Sequence, residues 1–345
     1  MRLVAVLLGH SPCISSLIDK NVFLMLTISP ENPAPLSHNI EDYPDGIVLA
    51  VNKPYRWTSA DVIRKVKWMA CRHFGKKNLK VGHAGTLDPL ATGVLLVCIG
   101  NATKRAEQLQ ASDKEYIAGI SFGATTPSYD LEKDIDRRFP TDGISEASVR
   151  HALEGFLGEQ EQIAPLFSAK SVDGVRAYEL ARRLYKKQHS SASPCPADTS
   201  VEAGAENSAF DAQASSLLRS ARIRIDALEL LNFSADGSAE HAPETAPDYG
   251  GMSAEKIARA KEKDSRINIV DISRLRLPLA EVRIACTKGT YIRAFARDLG
   301  EALGSGAFLS YLIRSRSGEF DLSGALSMAQ VSTVFIGDES SEMRG

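Results

Sequence analysis

The stretch 81-VGHAGTLDPLATGVLLVCIG-100 constrains the fold of this chain more than any other. Three glycines bracket a single carboxylate, Asp88, and a proline follows it directly. Glycine admits backbone conformations that other residues avoid, and proline fixes φ, so the segment predicts a tight, stiff turn. The apolar run from Val94 to Ile99 comes next and predicts a buried strand. The chain therefore holds one acid at the edge of its core, and on this evidence alone a turn-capping role explains it.

The rest of the chain mixes strands and helices without strict β–α–β alternation, which favours an α+β fold with a mixed, mainly antiparallel central sheet flanked by helices. Apolar alternation and short apolar runs predict strands over 46–53, 93–100, 114–123, 221–233, 281–287 and 308–316. Apolar residues at helical spacing predict helices over 58–74, 145–157, 176–187 and 290–304, with a short helix before residue 110.

Composition divides the chain into one domain and several polar segments. Residues 1–45 end in a polar, proline-rich stretch and are predicted to be a disordered extension. Two segments, 188–216 and about 235–266, lack an apolar period and are predicted to be disordered insertions. The domain is predicted over 46–330, and residues 331–345 are predicted to be a C-terminal tail.

Charge is unevenly distributed. The net charge of −2 does not by itself suggest a nucleic-acid partner. Between residues 53 and 80, however, nine basic residues accompany only one acid, Asp61. A solvated helix face and a phosphate-binding surface both explain such a run.

Several classes of protein are disfavoured. No run reaches the roughly 18 apolar residues of a membrane span, so no membrane association is expected. The five cysteines form no CxxC pair, which fits a reducing cytoplasm and gives no zinc or disulfide framework. The glycine loop matches neither dinucleotide-binding nor P-loop spacing, and no GxSxG elbow is present. The histidines are scattered, so neither a metal site nor a nucleotide cofactor is predicted.

A longer pattern around Asp88 is far more specific. The strings 83-HAGTLDPLATGVL-95 and 100-GNATK-104 resemble the signature of the TruB-type tRNA pseudouridine synthases. Further motifs of that family have counterparts in 53-KPYRWTS-59, 114-KEY-116, 122-FGATTPSYD-130, 162-QIAPLFSAKSVDGVRAYELAR-182, 288-KGTYIRAFARDLG-300 and 311-YLIR-314. The resemblance covers about 46–187, 221–233 and 278–326.

The chain departs from the family pattern at several places. Arg56 stands where the first motif usually has glycine, and Ala164 replaces the first proline of a pair. In the string 162-QIAPLFSAKSVDGVRAYELAR-182, the lysine of the family motif is shifted by one place, at 170–171. The chain ends about twenty residues after the last residue that the resemblance covers, so the small C-terminal RNA-binding domain of many members is not expected.

The resemblance implies the pseudouridine synthase fold and an isomerase that needs no cofactor. A uridine loses its N1–C1′ bond and gains a C5–C1′ bond. Asp88 matches the family's catalytic aspartate, which could attack C1′ or C6 or abstract a ribose proton, and the sequence leaves these routes open. Arg293 matches the arginine that pairs with it. Tyr116 matches a tyrosine that stacks on the target base and can help to remove the C5 proton.

The resemblance also implies a set of substrate-binding residues. Leu312 matches an apolar residue that packs on the base, although a core leucine fits the spacing equally well. His83 matches a histidine that fills the place left by the flipped base. Other expected RNA contacts are Tyr291, Lys53, Lys80 and Lys104.

These observations predict a cytoplasmic, monomeric tRNA pseudouridine synthase that isomerises uridine 55 in the T-stem-loop by flipping the base. Two alternatives stay open. One is a tRNA-folding chaperone whose catalysis is secondary, and the other is a pseudouridine synthase for a different RNA. The intact Asp88, Tyr116 and Arg293 favour retained catalysis.

Overall fold

We analysed a computed structural model, which describes residues 36–165, 167, 171–172, 175–176, 220–242, 267 and 269–336. Helices are α1 (Ser59–His73), α2 (Ala106–Ala111), α3 (Glu146–Glu154), α4 (Ile292–Ala302) and α5 (Met328–Ile336), with 3₁₀ turns at Ile40–Asp42 and Gly100–Arg105. The first strands are β1 (Ile47–Lys53), β2 (Val81–Ala84), β3 (Ala91–Ile99), β4 (Lys114–Phe122), β5 (Ala124–Thr125), β6 (Arg137–Arg138) and β7 (Gly158–Ile163). The remaining strands are β8 (Ser171–Val172), β9 (Val175–Arg176), β10 (Ser220–Ser234), β11 (Leu279–Cys286), β12 (Ala307–Ser317) and β13 (Phe320–Asp321).

The main sheet confirms the predicted mixed, mainly antiparallel arrangement. Its strands lie in the order β1-β3-β12-β4-β11-β10-β7, with β2 beside β3 and β13 beside β12. Among the described strands of this sheet only β12 and β3 run parallel. In the described part of the chain, no helix is long and apolar enough to cross a membrane.

Helix α1 shows how the sequence determines its local structure. Thr58 caps the helix, and its side chain and that of Asp61 satisfy each other's backbone N–H groups as a capping box. The apolar positions Val62, Val66 and Met69 fall on one face and are buried in the larger core cluster. The predicted helix and its apolar face are therefore confirmed, and the capping box fixes the helix start next to the loop that carries Asp88.

One glycine allows the two parallel strands to meet. Gly93 has φ +97, and a Cβ added there would lie 2.2 Å from the carbonyl oxygen of Arg314. Only a residue without a side chain permits this approach. The glycine of the TGVL string therefore brings the start of β3 against Arg314 on β12.

The predicted N-terminal extension is wrong for residues 36–45. Leu36 is buried in the core, and its N–H donates to the carbonyl oxygen of Val334 at 3.2 Å. The ring of His38 stacks on that of His73 at 4.3 Å, and Tyr43 packs edge-on against Phe74 at 6.1 Å. The prediction failed because the composition of this segment is polar and proline-rich overall, although a few of its side chains pack on the domain.

The predicted boundary between domain and tail at 331 is also wrong. Helix α5 begins at Met328, and its residues Val331, Val334 and Phe335 are buried. The carbonyl oxygen of Phe335 accepts a hydrogen bond from the ring of His73 at the end of α1. The domain therefore includes α5 through Ile336.

The second predicted insertion begins later than expected. Residues 235–242 are tied to the sheet, because the buried carboxylate of Glu281 accepts from the N–H groups of Glu240 and His241. Glu281 also accepts from Tyr311 and contacts the His241 ring at 3.1 Å. Side-chain atoms of Glu240, His241 and Glu281 that could bind a metal ion lie within 4.8 Å of one another. The hydrogen bonds to Glu281 explain why these residues are close together.

Other expectations fall partly or wholly beyond the described residues. The insertion 188–216, the segment 243–266 and most of the predicted helix 176–187 lie there. The predicted helix 145–157 ends at Glu154 instead, with Gly155 as its C-cap. Strands β2 and β7 are found in segments for which no strand was predicted.

We expect Phe335→Ala to lower the free energy of unfolding by about 3–5 kcal/mol, because it removes a buried aromatic side chain from the contact between α5 and α1. Thr333→Ala, on the same helix but only half-buried, is the matched control and should change it by less than about 0.5 kcal/mol. Urea unfolding measures both. Equal effects would mean that α5 does not belong to the folded domain.

Candidate active site

The loop that carries Asp88 is fixed on both sides of the acid. The Ser59 hydroxyl, at the start of α1, accepts from the N–H of Leu87 at 2.9 Å and donates to its carbonyl oxygen at 3.1 Å. The Lys53 ammonium donates to the carbonyl oxygen of Pro89 at 3.1 Å. Gly85 has φ +94, which turns the chain out of β2 into the loop. The backbone around Asp88 is therefore held by the first helix and the first strand.

Asp88 and Arg293 form the predicted ion pair. Arg293 Nε donates to one carboxylate oxygen at 2.8 Å, and Nη2 donates to the other at 3.1 Å. Such two-point contact fixes the orientation of the carboxylate as well as its charge. The Asp88 side chain is 40% exposed and that of Arg293 only 6%, so the acid faces the cavity while the arginine lies behind it.

The Arg293 guanidinium also holds two other segments. Nη1 donates to the carbonyl oxygen of Ser128 at 3.0 Å, and Nη2 donates to that of Phe167 at 2.9 Å. Burial alone would lower the pKa of Arg293, but attraction to Asp88 and then Asp130 outweighs it and raises that pKa. The arginine therefore stays charged at any pH at which the protein is folded.

A second carboxylate, Asp130, lies beside this pair and was not predicted as a site residue. One of its oxygens is 3.8 Å from Arg293 Nε, and the other accepts from the Ser128 hydroxyl at 2.6 Å and the N–H of Glu132 at 2.9 Å. Burial raises the pKa of Asp130, while Arg293 and Ser128 oppose that shift. The signal that could have found it was its place at the end of the matched string 122–130.

A cavity of about 610 Å³ opens in front of Asp88. Five predicted site residues line it, namely Asp88, Tyr116, Tyr291, Arg293 and Leu312. Its other charged lining residues are Glu107, Lys114, Lys288 and Arg314. The structure therefore brings together the acid, its arginine, the aromatic ring and the apolar residue expected around one base.

Tyr116 and Leu312 reach the cavity from neighbouring strands. Leu312 on β12 lies opposite Ala118 on β4, and Arg314 lies opposite Tyr116. Burial raises the pKa of Tyr116, and the adjacent Arg314 opposes this shift by its charge and by a hydrogen bond. Sequence reasoning passed over Arg314, although it ends the quoted string 311–314.

His83 lies on β2, two residues before Gly85, and does not line the cavity. Its Nδ1 is buried, and no hydrogen-bond partner for it is found among the described residues. Burial, followed by the positive charge of Arg314, lowers the pKa of His83, so its ring is neutral at neutral pH.

Two predicted RNA contacts lie outside the cavity. Lys80 and Lys104 are both exposed. Their backbone segments are adjacent, because the N–H of Gly100 donates to the carbonyl oxygen of Lys80 at 2.8 Å. Lys80 directly precedes β2, the strand that carries His83.

The expectation that Lys53 contacts RNA phosphates is wrong, because its side chain is completely buried. Its Nζ donates to the carbonyl oxygens of Pro54 at 2.9 Å, Trp57 at 2.5 Å and Pro89 at 3.1 Å. These three acceptors match the three hydrogens of an ammonium group. Burial lowers the pKa of Lys53 to about 7, with Asp88 opposing the shift. Lys53 supports the loop of Asp88 from within.

Comparison with known proteins gives a consistent result. A family model described as "TruB family pseudouridylate synthase (N terminal domain)" matches residues 72–194. The chain is 40% identical over 287 residues to a tRNA pseudouridine synthase B of Phocaeicola vulgatus, covering 83% of this chain and 92% of that protein. It is 41% identical over 285 residues to the Bacteroides thetaiotaomicron protein of that name, covering 83% and 91%.

Solved structures of more distant proteins are also similar. One is titled "Crystal Structure of a Cbf5-Nop10-Gar1 Complex", with a TM-score of 0.46 and 20% identity, covering 90% of this chain and 60% of that chain. Another is "Structure of H/ACA RNP bound to a substrate RNA containing 2'-deoxyuridine", with a TM-score of 0.45 and 19% identity, covering 88% and 56%. The chain thus spans somewhat over half the length of these structures.

We expect Lys53→Met to lower the free energy of unfolding by about 2–4 kcal/mol at pH 7, because three buried carbonyl groups lose their donor. The pKa of Lys53 falls from 10.5 to about 7 on folding, so unfolding takes up a proton between those values. The contribution of Lys53 to stability should therefore rise with pH above about 7.

Urea unfolding of both proteins from pH 6.5 to 9.5 tests this. The difference between wild type and Lys53→Met should grow across the range. Lys76→Met is the control, since Lys76 is an exposed lysine paired with Glu41 at 3.1 Å, and its difference should stay flat and small. A flat difference for Lys53 as well would contradict a lowered pKa.

Proposed function

Because this chain belongs to the TruB family of pseudouridine synthases, isomerases that act on tRNA, we propose that it isomerises uridine 55 in the T-loop of tRNA with Asp88 as the catalytic carboxylate. The observation that supports this most directly is the two-point pair of Asp88 with buried Arg293 at the wall of the cavity.

The reaction exchanges one glycosidic bond for another. The N1–C1′ bond breaks, the uracil ring turns, and a C5–C1′ bond forms; C5 then loses its proton and N1 gains one. Atoms and charge therefore balance without an added reactant. Asp88 can act by attack on C1′, by attack on C6, or by removal of a ribose proton, and each route needs the ionised carboxylate. Arg293 pairs with that negative charge and keeps both oxygens in a fixed orientation.

The cavity suits a single uracil lifted from its stack. Base flipping costs a few kcal/mol, which contacts to the base have to offset. Tyr116 offers an aromatic face and a hydroxyl, and Leu312 offers an apolar contact beside it. Stacking of a base on an aromatic ring is worth about 1–3 kcal/mol. These contacts support Tyr116 and Leu312 as the residues that hold the base next to Asp88.

RNA outside the cavity would be bound by basic side chains near its rim. We propose that Lys80 and Lys104 contact RNA phosphates and that Tyr291 contacts the RNA at the cavity wall. We propose that His83 fills the position in the T-loop that the flipped base leaves. We propose a monomer as the active unit. A cytoplasmic location would follow from the tRNA substrate.

We expect Asp88→Asn to reduce isomerisation by more than about 1,000-fold, because the amide keeps the shape of the side chain but carries no negative charge. Tritium release from a tRNA transcript labelled at uracil C5 measures the rate, and filter binding should give a Kd within about threefold of wild type. Asp134→Asn, an exposed acid outside the cavity, should leave the rate unchanged.

The same assay tests the position of the target. A labelled transcript in which uridine 55 is replaced by cytidine should release no tritium above background. Release from that transcript would move the target to another uridine. Asp88→Asn turnover within tenfold of wild type would instead remove Asp88 from its catalytic role.

We expect the double change Lys80→Ala with Lys104→Ala to weaken tRNA binding and to reduce its dependence on salt. Each lost phosphate contact lowers the slope of log K against log salt by about 0.9 for duplex or about 0.7 for single-stranded RNA. The rate at saturating tRNA should barely change, since phosphate contacts position the RNA without reaching the base.

The matched control is Arg150→Ala on α3, whose guanidinium is paired with Glu146 at 2.8 Å. Filter binding over a salt series should show no change for this variant. If the lysine variant and the control share the wild-type slope, the two lysines are ordinary solvated surface charges.

A further inference from the structure

A second buried arginine, Arg314, lines the cavity without any part in the reaction described so far. It is only 1% exposed. Its Nε donates to the carbonyl oxygen of Val94 at 2.6 Å, and its Nη2 donates to that of Gly85 at 3.1 Å. Within the described residues Arg314 forms no ion pair, whereas Arg293 is paired with Asp88. A buried cation without a carboxylate is costly, which calls for a reason beyond packing.

Arg314 is held close to one other functional group, the phenol of Tyr116. The two residues lie directly opposite each other on β12 and β4, which puts their side chains on the same face about 5 Å apart at Cβ. Among the charged groups that act on the Tyr116 phenol, Arg314 has the largest effect. Its Nη1 would lie 3.5 Å from a Cβ added at Gly85, so the guanidinium fills the space between the loop and the phenol.

We propose that Arg314 is a positioning residue for Tyr116: it directs the phenolic oxygen toward the target base and supplies the positive charge that lets this buried phenol lose its proton and then accept the proton of C5. The proposal rests on the function proposed above. It concerns the last part of the reaction, after the C5–C1′ bond has formed.

The step balances without an added reactant other than water. The Tyr116 phenolate takes the proton from C5, and the electron pair of the C5–H bond forms the C5–C6 double bond. The electrons of the C6–N1 double bond return to N1, which takes a proton from water. Tyr116 then passes its new proton to water, and the phenolate is restored beside Arg314.

The charges around Tyr116 agree with this role. Burial raises the pKa of Tyr116, and Cys286 on β11 and Asp88 in the loop act in the same direction. Arg314 is the group that opposes them, through both its charge and its hydrogen bond. Arg314 also lowers the pKa of Lys114, which burial has already brought down, to about 8. The positive charge of Arg314 therefore lowers the pKa of more than one group that lines the cavity.

The test must separate this role from simple support of the loop through Gly85 and Val94. We would measure single-turnover tritium release at saturating tRNA from pH 6 to about 11, because the pKa of Tyr116 is raised above its ordinary value, for wild type, Arg314→Gln, Arg314→Lys and Tyr116→Phe. Arg314→Gln should slow release by about 100-fold at pH 7.5 and move the limb that reports Tyr116 by about one pH unit upward. Arg314→Lys, which keeps the charge, should recover at least tenfold of the rate and part of the shift.

The double variant Arg314→Gln with Tyr116→Phe provides a cycle. If Arg314 acts through Tyr116, the double variant should be no more than about threefold slower than Tyr116→Phe alone. Losses that multiply, or a rate loss with an unmoved pH limb, would overturn the proposal and leave Arg314 as a support for the loop.

Thermal melting identifies a variant that fails to fold. If Arg314→Gln is unfolded at the assay temperature, Arg314→Lys carries the test in the same cycle with Tyr116→Phe, and losses that multiply there overturn the proposal. The wild-type assay is a separate test of the proposed function. If wild type acts on a uridine other than 55, the same pH comparison is made on that uridine, so either idea can fail alone.

Discussion

The two-point pair between Arg293 and Asp88 is the interaction on which the site depends. A guanidinium that is buried has to find acceptors for its N–H groups, because an unsatisfied buried charge costs several kcal/mol. Arg293 finds them on the Asp88 loop and on the carbonyl groups of Ser128 and Phe167. One side chain at the start of α4 therefore requires three separate segments to converge, and the cavity is the space that they enclose.

The second constraint is that the Asp88 loop cannot relax toward its arginine. Ser59 holds Leu87 on one side, and Lys53 holds Pro89 on the other. The acid is thus set by the first strand and first helix, while the arginine comes from the far end of the chain. Folding of the whole domain is needed before the pair can form, which makes its geometry a property of the core and not of the loop. Preorganisation of this kind fixes charged groups in place before a substrate binds.

Local pattern was sufficient to predict much of the fold and site, and burial limited the rest. Helix α1 and the apolar strand after Asp88 followed from periodicity, and the pairing of Asp88 with Arg293 was implied by the family resemblance. Lys53 was misplaced because a lysine in a basic run gives no sign that its ammonium is enclosed by three carbonyl groups. Arg314 was missed for a different reason. Strand register sets it opposite Tyr116, and register is not visible in a single sequence.

Arg56, the departure from the family's first motif, shows how the chain accommodates its own variation. Its φ is +66, a left-handed conformation that costs a non-glycine residue about 1 kcal/mol and that a glycine would adopt freely. The side chain compensates, because Nη2 donates to the carbonyl oxygen of Ile267 at 3.0 Å. From there the chain packs on a small apolar cluster with Tyr55 and Leu90, residues that flank the Lys53 and Asp88 segments. The segment that follows 243–266 therefore packs on the residues that support the Asp88 loop, and the hydrogen bond of the strained Arg56 is one of its contacts.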